Sequence, residues 1–375
     1  MSAAKPIGGR LATPAFLLFS TLLLIGFFFI GQRFLHGIGQ VSNMSDGYPW
    51  GIWIAFDVVI GTALACGGYA MALMVYVFNK GQYHSLVRPA LLASVLGYSL
   101  AGLGVFIDIG RYWQIYNVFV PGYVNANSVM LEVALCIASY ILVLWIEFAP
   151  ALFEKARNAT VLAVLNKVLF LFIALGILLP TMHQSSLGSM MILAGQKLSP
   201  LWWSPILPLL FLVSALFMGY AVVIFEASLS TVAFQRRPET PLLARMATVI
   251  PKLVAVFLVI RLADILIRGH LGLAFRGDLR GNLFLLELLL HLVPVFLIAS
   301  DGKTRGRPLF LAALSLLLGG VLFRINTYII GYDPGSGWHY FPAVPEICIT
   351  LGIFSLEILA YAVFVKKIPV LSTHD

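Results

Sequence analysis

The sequence predicts an all-α integral membrane protein of about ten transmembrane helices, and three features lead there. The chain is 60% hydrophobic and 11% charged, whereas a soluble domain carries about 25% charged residues. Most of its surface therefore cannot face water. Apolar runs long enough to cross about 30 Å of hydrocarbon recur along nearly the whole length. Basic residues gather in the short segments between alternate runs, the pattern that orients helices in a bilayer.

The first run, Pro14–Leu35, is longer than a signal-peptide core and no Ala-x-Ala-like site follows it, so it is expected to stay as an anchor. Gly51–Phe78 and Ala90–Ile109 follow, with small faces at Gly61, Gly67 and Gly68 and at Gly97, Gly102 and Gly104. These allow close helix approach; with no strand before them they do not form a phosphate loop. Asn127–Ala149 and Leu162–Met182 come next, the latter with Pro180 expected to kink it. Ile206–Ala233, Thr248–Ile267, Leu283–Ser300, Pro308–Ile330 and Glu346–Val365 complete the series. Each crosses lipid as a helix because a single segment satisfies its own backbone in no other way.

Placing the N-terminus in the cytoplasm assigns most of the 24 lysines and arginines to that side, among them Lys80, Arg88, Lys155, Arg157, Arg236, Arg237, Arg305, Arg307, Lys366 and Lys367. Both termini are then expected to be cytoplasmic. The formal charge of +8 serves the cytoplasmic leaflet and needs no nucleic-acid partner. The longer connections, Arg111–Ala126, Gln184–Pro205 and Gly331–Pro345, fall outside and are rich in Trp, Tyr, Pro and Gly. A docking platform for a peripheral subunit and an aromatic belt at the interface are both open readings of them. Cys66, Cys136 and Cys348 sit singly, without the spacing of iron–sulfur or zinc sites, and read as packing residues.

A charged side chain at the centre of a bilayer costs about 2.5–3.5 kcal/mol on insertion scales, so ionisable residues within spans mark function. Asp57, Asp108, Glu132, His183, Asp264 and Glu287 are expected within about two turns of the outer face. Glu147 and Glu226 lie toward the cytoplasm, with Tyr98, His291, Arg324 and Glu357 between. Glu132 and Glu147 share a helix but stand about 22 Å apart, so water and side chains such as Tyr98, Ser139 and Tyr140 would have to bridge them. The alternative is that the acids are neutralised by buried bases, Asp264 by Arg261 and Glu287 by Arg324.

His183 exchanges a proton near neutral pH and can hydrogen-bond a carbonyl, which suits a quinone. Asp57 or Glu132 would exchange protons with it, and Gln184, Ser185 and Ser186 would position a head group. The competing reading is a histidine capping the end of the fifth span. His183 and His291 are the histidines in or at spans, and their expected depths differ, so a haem between paired histidines is not expected. Leu131-Glu132 and Leu286-Glu287 suggest a faint repeat that would make spans two to five and six to nine parallel halves.

The runs Gly47–Asp57, Asn79–Ala90, Asp108–Trp113, Asn127–Glu132, Glu147–Glu154 and the His183 segment resemble the NrfD/polysulfide reductase membrane-subunit family, in particular its branch from hydrogenase-2 type NiFe uptake hydrogenases. The resemblance implies two four-helix bundles, spans two to five and six to nine, flanked by spans one and ten. The corresponding division is an N-terminal anchor helix (1–45), a first bundle with the quinone site (46–200), a second bundle (201–340) and a C-terminal helix (341–375). It implies a subunit of the bacterial inner membrane that takes menaquinone or ubiquinone as substrate and holds neither haem nor iron–sulfur cluster. Its partners would be a ferredoxin-like iron–sulfur subunit, a NiFe large subunit and an iron–sulfur small subunit. Carried onto this sequence, the quinone pocket involves Asp57, Tyr98, Glu132 and His183, and a cytoplasmic proton route runs by Glu147 and Glu226. The same scaffold in another respiratory oxidoreductase, such as a sulfur-compound reductase, and a secondary transporter or passive anchor are the alternatives.

Overall fold

The computed structural model describes residues 5–300 and 305–371. Residues 1–4, 301–304 and 372–375, and with them both chain ends expected on the cytoplasmic side, lie outside the described residues. Among the described residues the chain is helical, with one isolated bridge between Leu198 and Tyr332 in place of any sheet. The long helices are α1 Pro14–His36, α2 Trp53–Val77, α3 Gly81–Asp108, α4 Val129–Ala156 and α5 Ala159–Ile192. Then come α6 Leu207–Ala233, α7 Ile250–Ile267, α8 Leu279–Ala299, α9 Gly306–Ile330 and α10 Val344–Lys367. All but α7 are long and apolar enough to cross a membrane. The 18-residue α7 matches the expected seventh span but carries Lys252, Arg261 and Asp264.

Local chemistry sets where these helices start. The Thr13 hydroxyl accepts from Phe16 N (3.2 Å) with Pro14 in the first turn of α1. The Asp278 carboxylate accepts from Gly281 N (2.7 Å) at α8, and in α10 the Glu346 carboxylate accepts from Ala343 N (2.8 Å). Each satisfies a donor that the first helical turn leaves open. Three segments depart from α geometry: Trp53–Ile60 and Leu73–Val77 in α2 and Asn326–Ile330 in α9 are π-helical, a winding frequent where a helix carries function. In addition, α3 opens with a 3-10 segment, Gly81–Leu86.

One expectation is overturned at α5. Hydropathy puts the end of the fifth span near Met182, whereas the helix runs through Pro180 to Ile192. His183 is therefore not a cap at the membrane rim; it lies about 13 Å along the helix from its C-terminal end. Proline is tolerated inside membrane helices, and the residue after it, Thr181, places its Oγ1 2.7 Å from the Tyr69 hydroxyl of α2.

The chain forms two compact units, divided within α2, α3 and α5 and in the loop after α9. The first takes the chain up to Thr62, Leu91–Leu179 and the chain from Pro334. In it α1 packs along α10, and α10 against the π turn of α2. A Cβ on Gly26 would stand 2.7 Å from Gly352 Cα, so the α1 and α10 backbones touch there. Val41, Trp53, Ile107, Ile349 and Ile353 form a core beside them. The loop after α3 winds as a 3-10 helix, Tyr112–Phe119. Because that winding eclipses every third residue, the exposed Trp113, Tyr116 and Phe119 form one stripe.

The second unit takes Ala63–Ala90 and Pro180–Asp333. Gly67–Ala72 of α2 packs on α6, which packs on α7 and α9; α8 packs on both of these. Phe217, Phe257 and Phe323 fill its centre, with the Phe257 ring 5.4 Å from each of the other two.

Candidate functional site

In the first unit, four helix ends bring ionisable side chains together. Asp57 stands on the π turn of α2, 6% exposed, and its Oδ2 accepts from Thr350 Oγ1 of α10 at 3.2 Å. Gly104 of α3 gives it room, since a Cβ there would lie 3.0 Å from Asp57 Cβ. The small-residue face on α3 thus admits a carboxylate as well as a helix. Asp108 ends α3, and its buried Oδ1 meets no hydrogen-bond partner in the protein.

Arg33, in the last turn of α1, is 1% exposed. It donates from Nε to Ile107 O (2.6 Å) and from Nη2 to Ile109 O (2.5 Å), which holds its guanidinium beside Asp108. Glu346 of α10 is fully buried and accepts from the Tyr340 hydroxyl (2.7 Å) and from Asn43 N (2.9 Å) as well as from Ala343 N. Tyr340 in turn accepts from Ile52 N (2.7 Å). Burial first, and then the bond to Glu346, raises the Tyr340 phenol above its usual pKa of 10.0. Three carboxylates, Asp57, Asp108 and Glu346, are thereby set against one guanidinium, Arg33.

Arg33, Tyr340, Glu346 and Thr350 were not among the residues read from sequence as site residues. For Glu346 a signal was available: an acid three residues after a helix start, with Pro345 between, is the pattern of a capping acid. Nothing comparable marks Thr350 or Arg33, whose partners are distant in sequence.

The other predicted residues of this unit stand apart from that cluster. Glu132 is exposed in the first turn of α4. Tyr98 is fully buried, its ring 4.5 Å from that of Tyr140 in a T-shaped contact. Along α4, Tyr140 lies about 12 Å beyond Glu132, and Glu147 about 10 Å beyond Tyr140. Glu147 lies against Gly176 of α5, where a Cβ would collide with its carboxylate, and its Oε1 is buried with no hydrogen-bond partner.

His183 and Gln184 belong to the second unit, as does the half-buried Glu226 of α6. Gln184 Oε1 accepts from Arg324 Nη2 (3.0 Å), so the Gln184 amide nitrogen, 3.2 Å from His183 Nε2, donates to that imidazole. Arg324 Nη1 also donates to Ser214 Oγ (2.8 Å). The ion pairs differ from those expected: Arg261 pairs with Glu287 (2.7 Å), and Asp264 pairs with Arg268 (2.6 Å). Asp264 and Arg268 are separated by one helical turn and share a face, while Arg261 points toward α8. Glu287 accepts further from Trp202 Nε1 and Asn326 Nδ2, each at 3.0 Å.

Among known proteins, the chain is similar to the Probable Ni/Fe-hydrogenase 2 b-type cytochrome subunit (HybB) of Escherichia coli (strain K12), with 47% identity over 98% of this chain and 95% of that protein. It is 34% identical to the Menaquinone reductase, integral membrane subunit, of Nitratidesulfovibrio vulgaris, over 41% of this chain and 37% of that one. It is 24% identical to a selenate reductase subunit of Mesobacillus selenatarsenatis, over 95% of this chain and 93% of that protein.

The first of these names raises a b-type haem, which in a membrane bundle takes two axial imidazole lone pairs. Measured from the helix ends expected on the outer side, His183 lies about 13 Å from the C-terminal end of α5 and His291 about 18 Å from the N-terminal end of α8, a smaller difference than the sequence suggests. What they offer is unequal. The lone pair on His183 Nε2 already accepts from Gln184. His291 is stacked on Phe257 (5.1 Å) with Phe217 at its edge (5.4 Å). The two residues do not fit a haem held between histidines.

The family model described as Polysulphide reductase, NrfD matches residues 40–332. Ten long helices and likeness along nearly the full length to a hydrogenase membrane subunit agree with it, and the chain belongs to the NrfD family.

Proposed function

We propose that this chain is the quinone-reactive membrane subunit of a periplasm-facing NiFe uptake hydrogenase in the bacterial inner membrane. The observation that carries the reading is the excess of carboxylate over base in the first unit, with buried Asp57 and Glu346 and half-buried Asp108 set against one Arg33. Reducing one quinone to quinol consumes two electrons and two protons, and hydrogen oxidation releases both. An enclosed set of acids with too few cations to neutralise it favours proton uptake and release beside a substrate. Partner iron–sulfur subunits would deliver the electrons; this chain's residues would bind the quinone and pass protons.

Asp57 and Glu132 are assigned to proton exchange with the quinone, and Tyr98 and Glu147 to a route from the opposite face, with Glu226 as a further member. His183 and Gln184 are assigned a head-group contact. The first bundle, residues 46–200, is taken to carry the quinone site, and the Trp113–Tyr116–Phe119 stripe is a candidate surface for the ferredoxin-like subunit.

The test uses the complex purified in mild detergent. Asp57→Asn and Glu132→Gln should abolish hydrogen-to-quinone electron flow while hydrogen oxidation with an artificial acceptor survives; unchanged quinone reduction would reject the assignment. His183→Ala should weaken binding of a quinone-site inhibitor, and equal affinity would remove His183 from the pocket. A second reading, the same scaffold in an oxyanion reductase, is favoured by the likeness to the selenate reductase relative. Co-purifying subunits other than a NiFe pair would select it.

A further inference from the structure

The second unit holds polar atoms for which the quinone chemistry has no use. Glu287, His291 and Asn326 are fully enclosed and Arg261 is 2% exposed. Their bonds fix where the hydrogens are. Asn326 Nδ2 donates to Glu287 Oε2, which leaves Asn326 Oδ1 as an acceptor. His291 Nδ1 lies 2.7 Å from the Glu287 carbonyl oxygen. A carbonyl can only accept, so Nδ1 carries the proton and Nε2 presents a lone pair. Arg261 Nη1 faces Glu287 Oε1 at 2.7 Å. Arg261 Nε and Nη2, Asn326 Oδ1 and His291 Nε2 are all buried and meet no hydrogen-bond partner in the protein.

This remainder has both characters: donors on Arg261, acceptors on Asn326 and His291. An apolar ligand would leave all of them unmet. A bare anion would satisfy Arg261 but face the lone pairs of Asn326 and His291, and a metal cation would do the reverse. Water donates and accepts, and buried water characteristically bonds polar groups that the protein leaves unmatched.

We infer that Arg261, Glu287, His291 and Asn326 form an internal water-binding site, a hydrated ion pair inside the second unit. Its walls are aromatic: the Arg261 guanidinium lies 5.7, 5.1 and 4.6 Å from the ring centres of Phe257, Phe284 and Phe323. These rings confine the water to the polar cluster. The π turn of α9 begins at Asn326, the residue that donates to Glu287. The inference is independent of the quinone assignment, which uses other residues.

Radiolytic footprinting tests it on the intact complex. Hydroxyl radicals generated by a brief X-ray pulse from water bound inside a protein oxidise the side chains that line it, and mass spectrometry locates the label. Phe257, Phe284 and Phe323 should be oxidised several-fold more than Phe148, which is equally enclosed but lines no such cluster. In Asn326→Leu that excess should fall to the level of Phe148. Labelling of the three rings no greater than that of Phe148 in the native protein would overturn the inference, whether or not the variant folds.

Discussion

Replacing Glu287 with leucine takes away the carboxylate that pairs with Arg261 and also the acceptor used by Trp202 and Asn326. Breaking a buried pair by removing one partner costs about 3–5 kcal/mol, and each buried donor left open about 1–3 kcal/mol. Because these overlap at one site, the single substitution is expected to cost about 5 kcal/mol, comparable to much of a protein's net stability. Arg261→Leu is milder, about 3 kcal/mol, since Trp202 and Asn326 still serve the carboxylate. The double substitution removes both charges and leaves two open donors, so it should also cost about 3 kcal/mol, far below the sum of the singles. Denaturant or thermal unfolding in detergent measures each corner of this cycle. If the singles add to within about 0.5 kcal/mol, the guanidinium and carboxylate are not coupled and the pairing is wrong.

Glu147→Met should raise stability by about 1 kcal/mol, because Oε1 is buried without a partner, while slowing hydrogen-driven quinone reduction; a loss of stability would point to a partner for this carboxylate. Gly26→Val should cost about 1–3 kcal/mol by overpacking against Gly352, and an unchanged melting temperature would mean that α1 and α10 are not in backbone contact. Tyr340 has its folded-state pKa raised above 10.0, so the folded protein keeps a proton that the unfolded chain releases. Its contribution is fully present below about pH 10 and declines as pH rises beyond it. Tyr340→Phe should remove that part of the alkaline loss, and identical pH profiles would contradict it.

How far the sequence reached differs from residue to residue. The place of Asp57 near the start of its span follows from hydropathy. Its partner Thr350 comes from a helix almost three hundred residues later and has no local signature. His183 is visible in the sequence as an unusual residue, but hydropathy ends its span near Met182, whereas the helix continues to Ile192 and carries His183 inward. Arg261 and Asp264 are neighbours on one helix face, yet each pairs with another residue, Arg261 with Glu287 and Asp264 with Arg268.

The sequence by itself determined that the chain crosses a bilayer repeatedly as helices, roughly where each helix lies, and to which family the chain belongs. Hydrocarbon leaves a single segment no other way to satisfy its backbone, and composition records that constraint directly. Only the tertiary structure decided which acid meets which base, that α10 contributes Thr350 and Glu346 to the setting of Asp57, and that π turns present Asp57 and Asn326. Those outcomes depend on how each helix is rotated and how far it is slid against its neighbours. Close packing of side chains sets both, and hydropathy along one strand of sequence does not encode it.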